Sequence, residues 1–66
     1  MTLLVNGAEE QLDASTSVAD LVERLGCGAR GVAVAVNDDI VPRSVWSEHR
    51  LHDGDRVEVL RVAQGG

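Results

Sequence analysis

The sequence predicts an α+β domain in which a mixed sheet of four to five strands packs against one amphipathic helix. Three observations predict this class. An Asn-Gly dipeptide at residues 6–7 separates two short segments, which is a strong signal for a β-hairpin. Apolar residues recur at i, i+3, i+4 and i+7 over residues 18–25, as on one face of a helix. Residues 56–62 then alternate between apolar and polar, as a half-buried strand does.

The first element is the hairpin. Met1, Leu3 and Val5 fall on one face of an alternating strand that ends at the Asn-Gly turn. We expect a second strand, at about residues 8–12, to return antiparallel to the first. Residues 13–16 are polar and predict a connection.

The helix has both a start and a stop signal. Ser17 followed by Asp20 three residues later resembles a capping box. Gly26 stands where a left-handed residue ends a helix, and residues 27–31 are expected to form a flexible link. The apolar stripe that should face the sheet consists of Val18, Leu21, Val22 and Leu25.

Residues 32–36 alternate valine with alanine, which predicts a central strand under the helix. Residues 37–39 should turn the chain. Residues 40–41 can form only a short edge strand, because Pro42 lacks a backbone donor.

The segment 43–51 is predicted to cross the sheet irregularly, with Ser44 capping a single helical turn that carries Trp46. We expect Trp46 to cover the small core, since no other aromatic side chain could form a stacking platform with it. A turn signal at residues 53–55 precedes the last strand.

The order ββαβ(β)β, with the first and last strands side by side, describes a β-grasp roll of the ubiquitin-like type. We assign residues 1–62 to this domain and residues 63–66 to a flexible C-terminal tail ending in Gly65-Gly66. Glycine has no Cβ, so such a tail can enter a channel too narrow for other residues. Terminal residues are often poorly ordered whatever their role, so the tail alone fits a functional end and a frayed end equally well.

The last strand should direct Val57 and Val59 into the core and Leu60 to the opposite face. Exposed apolar residues that are contiguous often mark a protein contact, although single ones are normal. We therefore predict a partner-binding patch beside the tail, with an unremarkable surface as the alternative. Its residues are Leu4, Leu60, Val62 and, in the tail, Gln64.

Composition argues against several function classes. Eleven acidic and six basic residues give a net charge of -5, which opposes binding to nucleic acid or an anionic membrane. The longest apolar run, residues 32–36, is too short to span a bilayer, so a cytoplasmic location is expected. Cys27 is the only cysteine, so an intramolecular disulfide is excluded. Its thiol is expected to be inert.

No pattern indicates an active site or a bound cofactor. His49 and His52 could share a helical face, but no third ligand accompanies them, so exposed loop histidines are expected instead of a metal site. The carboxylate pairs at residues 9–10 and 38–39 are typical of solvated charge. We therefore expect a protein that is not an enzyme.

Segments along nearly the whole chain match one known family. They are Val5-Asn6-Gly7, Ser17-Val18-Ala19-Asp20-Leu21-Val22, Val32-Ala33-Val34-Ala35-Val36-Asn37, Val41-Pro42-Arg43-Ser44-x-Trp46, Leu51-x-Asp53-Gly54-Asp55-x-Val57-Glu58 and Gly65-Gly66. Through these segments the whole chain resembles the ThiS family, the sulfur carriers of thiamin thiazole biosynthesis. Two departures are visible: Asp38 stands where the family often has a turn glycine, which could loosen that hairpin, and Cys27 belongs to no family motif.

The resemblance implies a protein cosubstrate. A ThiF-like enzyme would adenylate the Gly66 carboxylate with ATP and magnesium, and a sulfur donor such as a cysteine desulfurase would supply the sulfur of a thiocarboxylate. A ThiG-like thiazole synthase would receive that sulfur.

Three alternative functions stay open. A small subunit of molybdopterin synthase would use the same tail chemistry on another acceptor, and a ubiquitin-like modifier would form an amide. A plain interaction module would not use its terminus.

Overall fold

The computed structural model describes residues 1–26 and 31–61 and contains one five-stranded sheet in the order β2-β1-β5-β3-β4. β1 and β5 run parallel, and the other neighbouring strands are antiparallel. This topology confirms the predicted β-grasp roll, with five strands and the first and last side by side. The elements are β1 (Thr2–Val5), β2 (Ala8–Gln11), α1 (Val18–Arg24), β3 (Val32–Val36), β4 (Asp39–Ile40), a 3₁₀ turn (Arg43–Val45) and β5 (Arg56–Arg61).

The first hairpin forms as predicted. Asn6 and Gly7 have φ values of 51° and 83°, which are the two positive values that a type I′ turn requires. This turn pairs Val5 with Ala8 across the hairpin. β2 ends at Gln11, one residue earlier than expected, although the Leu12 amide still donates to the Met1 carbonyl at 2.9 Å.

The helix start is a confirmed capping box. The Ser17 hydroxyl accepts from the Asp20 amide, and the Asp20 carboxylate accepts from the Ser17 amide, both at 3.1 Å. Gly26 follows the helix with a φ of 71°, as its predicted role requires. Most of the predicted link, residues 27–30, lies outside the described residues and includes Cys27.

The second hairpin is one residue out of its predicted place. Asn37 and Asp38 both have positive φ and form a two-residue turn, so Val36 pairs directly with Asp39. β4 is therefore Asp39–Ile40, whereas residues 40–41 were predicted. The Asn-Asp pair is responsible, because both residue types tolerate the left-handed conformation that this tight turn needs.

The crossing segment contains the predicted single turn, but Ser44 does not cap it. Pro42 occupies the cap position and Ser44 lies inside the turn, so its hydroxyl is not placed to accept from the first amides. Trp46 is buried, and its indole N–H donates to the Val41 carbonyl at 2.8 Å. The prediction that Trp46 covers the core is confirmed.

One face of the sheet packs against α1. Val57 and Val59 of β5 point into this core, as predicted, while Leu60 points away from it. The opposite face of the sheet, called here the open face, carries exposed side chains. The buried apolar residues are Leu3, Val5, Leu12, Val18, Leu21, Val22, Val34, Val36, Val41, Trp46, Leu51, Val57 and Val59.

Candidate functional site

The strand that leads to the C-terminal glycines occupies the centre of the sheet. β5 lies between β1 and β3, and its last residue, Arg61, pairs with Val32. Residues 62–66 lie outside the described residues. The assignments of Val62, Gln64, Gly65 and Gly66 to the site therefore stay predictions.

An asparagine side chain extends the pairing of β5 with β1. The backbone pairing ends where the Asn6 amide donates to the Val57 carbonyl at 2.9 Å. Beyond that point the Asn6 Oδ1 accepts from the Val59 amide at 2.8 Å, and the Asn6 Nδ2 donates to the Val59 carbonyl at 3.3 Å. β5 is thus held on its β1 side as far as Val59, although β1 has already turned away.

A second asparagine holds the beginning of the same strand. The Asn37 amide donates to the Arg56 carbonyl at 2.7 Å, and the Asn37 Oδ1 accepts from the Arg56 amide at 3.0 Å. The Asn37 Nδ2 also donates to the Asp55 carboxylate at 3.0 Å. No sequence pattern predicted these contacts, because both asparagines were explained completely by their turns.

The open face carries an apolar cluster around the end of β5. Leu60 is 66% exposed and lies opposite Ala33, and Ile40 is 71% exposed and lies opposite Ala35. Together they line a shallow hollow that Asp38 and Glu58 border. The name "docking surface" is used below for Ala33, Ala35, Ile40 and Leu60.

Leu4 is not part of this cluster, and the prediction of one contiguous patch with Leu60 was wrong. The parallel register places Leu4 beside Arg56, so Leu60 lies four residues, or about 13 Å, further along β5. Leu4 does share the open face and is 40% exposed. Ile40 takes the place expected for Leu4, and its position on a predicted edge strand was the one signal that could have identified it.

Charged side chains border the docking surface, and one of them, Asp38, is paired with Arg56. The Arg56 guanidinium donates to the Asp38 carboxylate at 2.6 Å, with about half or more of each side chain exposed. Exposed ion pairs of this kind add little stability, so the interaction mainly orients the two side chains.

The two histidines differ in their surroundings. The His52 side chain is 80% exposed and lies 3.9 Å from the Asp55 carboxylate, as expected for a loop histidine. His49 is half-buried, contrary to the prediction, and its carbonyl accepts from the Val18 amide at the helix start. Within residues 1–26 and 31–61, no three potential ligand side chains are grouped as a metal site requires. The helices of these ranges are also too short for a membrane span.

Comparisons with known proteins agree on one family. The family model described as "ThiS family" matches residues 3–66. The sulfur carrier protein ThiS of Escherichia coli is 38% identical over 66 residues, and the match covers all of both chains. A crystal structure of the thiamine biosynthesis protein ThiS from Geobacter metallireducens superposes with a TM-score of 0.85 at 33% identity, again over all of both chains.

A different kind of relative is a longer protein. The thiazole synthase of Paramagnetospirillum magneticum is 39% identical over 66 residues. The match covers all of this chain but only 20% of that protein. A segment similar to this chain is therefore part of a polypeptide named for thiazole synthesis.

Proposed function

Because this chain belongs to the ThiS family and is a sulfur carrier of thiamin biosynthesis, we propose that the carboxylate of Gly66 is the group that carries the sulfur. The supporting observation is the match to the Escherichia coli carrier, which runs over all of both chains and therefore reaches Gly66. The diglycine fits this role, since two residues without a Cβ can pass through a narrow channel to a partner's active site.

The proposed chemistry begins with activation. A carboxylate is a poor electrophile because it has no adequate leaving group. A ThiF-like enzyme with ATP and magnesium would join the Gly66 carboxylate to AMP and release pyrophosphate. The terminal sulfur of a persulfide, for example one supplied by a cysteine desulfurase, would then displace AMP and form an acyl disulfide. A thiol would cleave this disulfide, becoming a disulfide itself, and leave the thiocarboxylate. All catalytic groups would belong to the partners, and the carrier would act as their cosubstrate, without a bound cofactor. A cytoplasmic location is proposed, because the ThiF-like enzyme would need ATP.

The docking surface is proposed to bind the activating enzyme. Leu60 and Ile40 are large apolar side chains that are more than half exposed, and two small alanines between their strands leave a hollow that a partner side chain can fill. Burial of apolar surface is the dominant favourable term in most protein–protein association. One of its residues, Leu60, lies on β5 itself, six residues before Gly66.

The thiocarboxylate is proposed to deliver its sulfur to a ThiG-like thiazole synthase. Support comes from the Paramagnetospirillum magneticum relative, in which a segment similar to this chain lies within a protein named thiazole synthase. The acceptor would release the carrier with its carboxylate restored.

Reconstituted thiazole formation tests the proposal. A mixture of the carrier, a ThiF-like enzyme, ATP, magnesium, a sulfur donor with a reducing thiol, and a thiazole synthase with the substrates that supply the carbon and nitrogen of the ring should form thiazole only when the carrier is present. Deletion of Gly66 should stop the reaction, because the carboxylate would then fall about 3.5 Å short of the phosphate it attacks. Addition of one alanine after Gly66 should have the same effect. Full activity of either variant would overturn the proposed role of Gly66.

A further inference from the structure

We propose that Asn6 is a positioning residue for activation: its side chain fixes the end of β5, and hence the point from which the C-terminal residues leave the domain. This inference rests on the proposed role of the Gly66 carboxylate. Asn6 lies 53 positions before Val59, the residue of β5 that it holds.

The geometry resembles an added rung of a parallel sheet. After Asn6 the chain turns back into β2, so β1 offers no further backbone group to β5. A side-chain amide has the donor and acceptor of a peptide group. The two bonds of Asn6 to Val59, at 2.8 and 3.3 Å, take the place of the next backbone pair.

Two requirements meet at this position. The φ of 51° favours glycine, asparagine or aspartate. Glycine has no side chain to reach Val59, and aspartate could accept from the Val59 amide but would direct a carboxylate at the Val59 carbonyl. Asparagine alone satisfies both the turn and the two hydrogen bonds.

The location of this contact connects it to activation. Val59 directly precedes Leu60 of the docking surface, and the last pairing of β5 is that of Arg61 with Val32. From Leu60, six residues lead to Gly66 and can span about 20 Å at most. A strand end that tilts or slides would change where this short segment starts relative to the docked partner. Since misplacement of reacting groups by about 1 Å can lower a rate about a hundredfold, even partial displacement should reduce kcat.

Asn37 provides a matched control. It has the same φ of 51°, stands first in its own two-residue turn, and accepts from a β5 amide through Oδ1. Its contact is with Arg56, at the opposite end of the strand from Val59. Replacement of either asparagine by glycine keeps the turn and removes two side-chain hydrogen bonds. Those of Asn6 both go to Val59, and those of Asn37 go to Arg56 and to the Asp55 carboxylate.

The test compares Asn6→Gly, Asn37→Gly and the unchanged protein in adenylation by a ThiF-like enzyme, measured as pyrophosphate release with ATP and magnesium. The assay temperature should lie well below the unfolding midpoint of all three. Asn6→Gly should lower kcat about tenfold with KM within about twofold, whereas Asn37→Gly should keep kcat within about twofold. Equal kcat values for Asn6→Gly and the unchanged protein, or equal losses in both variants, would overturn the inference.

Amide hydrogen exchange of the unchanged protein supplies a readout that does not depend on a variant folding. The Val59 amide should exchange slowly, because its partner is the Asn6 Oδ1, and exchange at the rate of an exposed amide would overturn the inference. If the unchanged protein is not adenylated although its Val59 amide is protected, the proposed role of Gly66 fails, and the positioning role fails with it.

Discussion

Leu60 lies directly opposite Ala33 in the pairing of β5 with β3, on the face of the sheet that the helix does not cover. Alanine leaves room beside the larger side chain, so the pair forms one wall of the hollow rather than a filled surface. The same strand leads to Gly66. Docking and sulfur chemistry would therefore depend on β5 and on the residues that follow it in the sequence.

The first prediction concerns the docking surface. Leu60→Glu should raise the Kd for the activating enzyme at least tenfold, or about 1.4 kcal/mol, because a charge would have to be buried in an apolar contact. The fold should remain intact, with a loss of less than about 1 kcal/mol, since Leu60 is 66% exposed. Binding can be measured by titration calorimetry and stability by urea denaturation.

Leu4→Glu is the control for this variant. It adds the same charge to the same face, about 13 Å away along the strand direction. The Kd should change by less than about threefold, or about 0.7 kcal/mol. A loss as large as that of Leu60→Glu would show that the contact extends to Leu4. An unchanged Kd for Leu60→Glu would contradict the proposed docking surface.

The second prediction concerns the helix cap. Ser17→Ala removes the acceptor for the Asp20 amide and should lower the free energy of unfolding by about 0.5–2 kcal/mol. Ser44→Ala is the same change at a serine without a capping bond, and it should have an effect of less than about 0.5 kcal/mol. Urea denaturation of both variants tests the difference. Equal losses in the free energy of unfolding for the two variants would show that the capping hydrogen bond of Ser17 adds no stability of its own.

The third prediction concerns the turn residue Asp38, whose φ is 74°. Asp38→Gly would relieve about 1 kcal/mol of strain from the left-handed conformation. It would also remove the exposed ion pair with Arg56 and raise the conformational entropy of the unfolded state, and each of these changes would destabilise the protein by about 0.5 kcal/mol. These effects nearly cancel, so stability should change by less than about 0.5 kcal/mol.

Asp39→Gly provides the comparison, because Asp39 lies in β4 and gains nothing from glycine. It should destabilise the protein by about 0.5–1 kcal/mol. Thermal unfolding of both variants measures the contrast. A large stabilisation by Asp38→Gly would mean that the ion pair with Arg56 does not offset the strain, and that the aspartate does loosen this hairpin.

The features that could be predicted from the sequence are local. The turn at Asn6-Gly7 and the capping box from Ser17 to Asp20 depend on residues no more than three positions apart, so their physical causes are visible in the sequence. The faces of the last strand could be predicted as well, because alternation alone places the Val59 side chain inward and the Leu60 side chain outward.

Long-range register could not be predicted in this way. The pairing of Leu4 with Arg56 joins residues that are distant in the sequence, and alternation does not specify how far two parallel strands slide relative to each other. Leu4 was therefore placed on the correct face of the sheet but at the wrong position along the strand direction. The contact of Asn6 with Val59 was missed because it too depends on this register, and because the turn already accounted for the asparagine.

The mass of the reacted carrier tests the central claim most directly. After incubation with a ThiF-like enzyme, ATP, magnesium and a sulfur donor, intact-mass spectrometry should show the exchange of one oxygen for sulfur, and fragmentation should locate the exchange at Gly66. The Gly66-deleted chain should keep its mass. Sulfur found on any other residue, or an unchanged mass of the full chain under conditions that convert a known ThiS protein, would contradict the account.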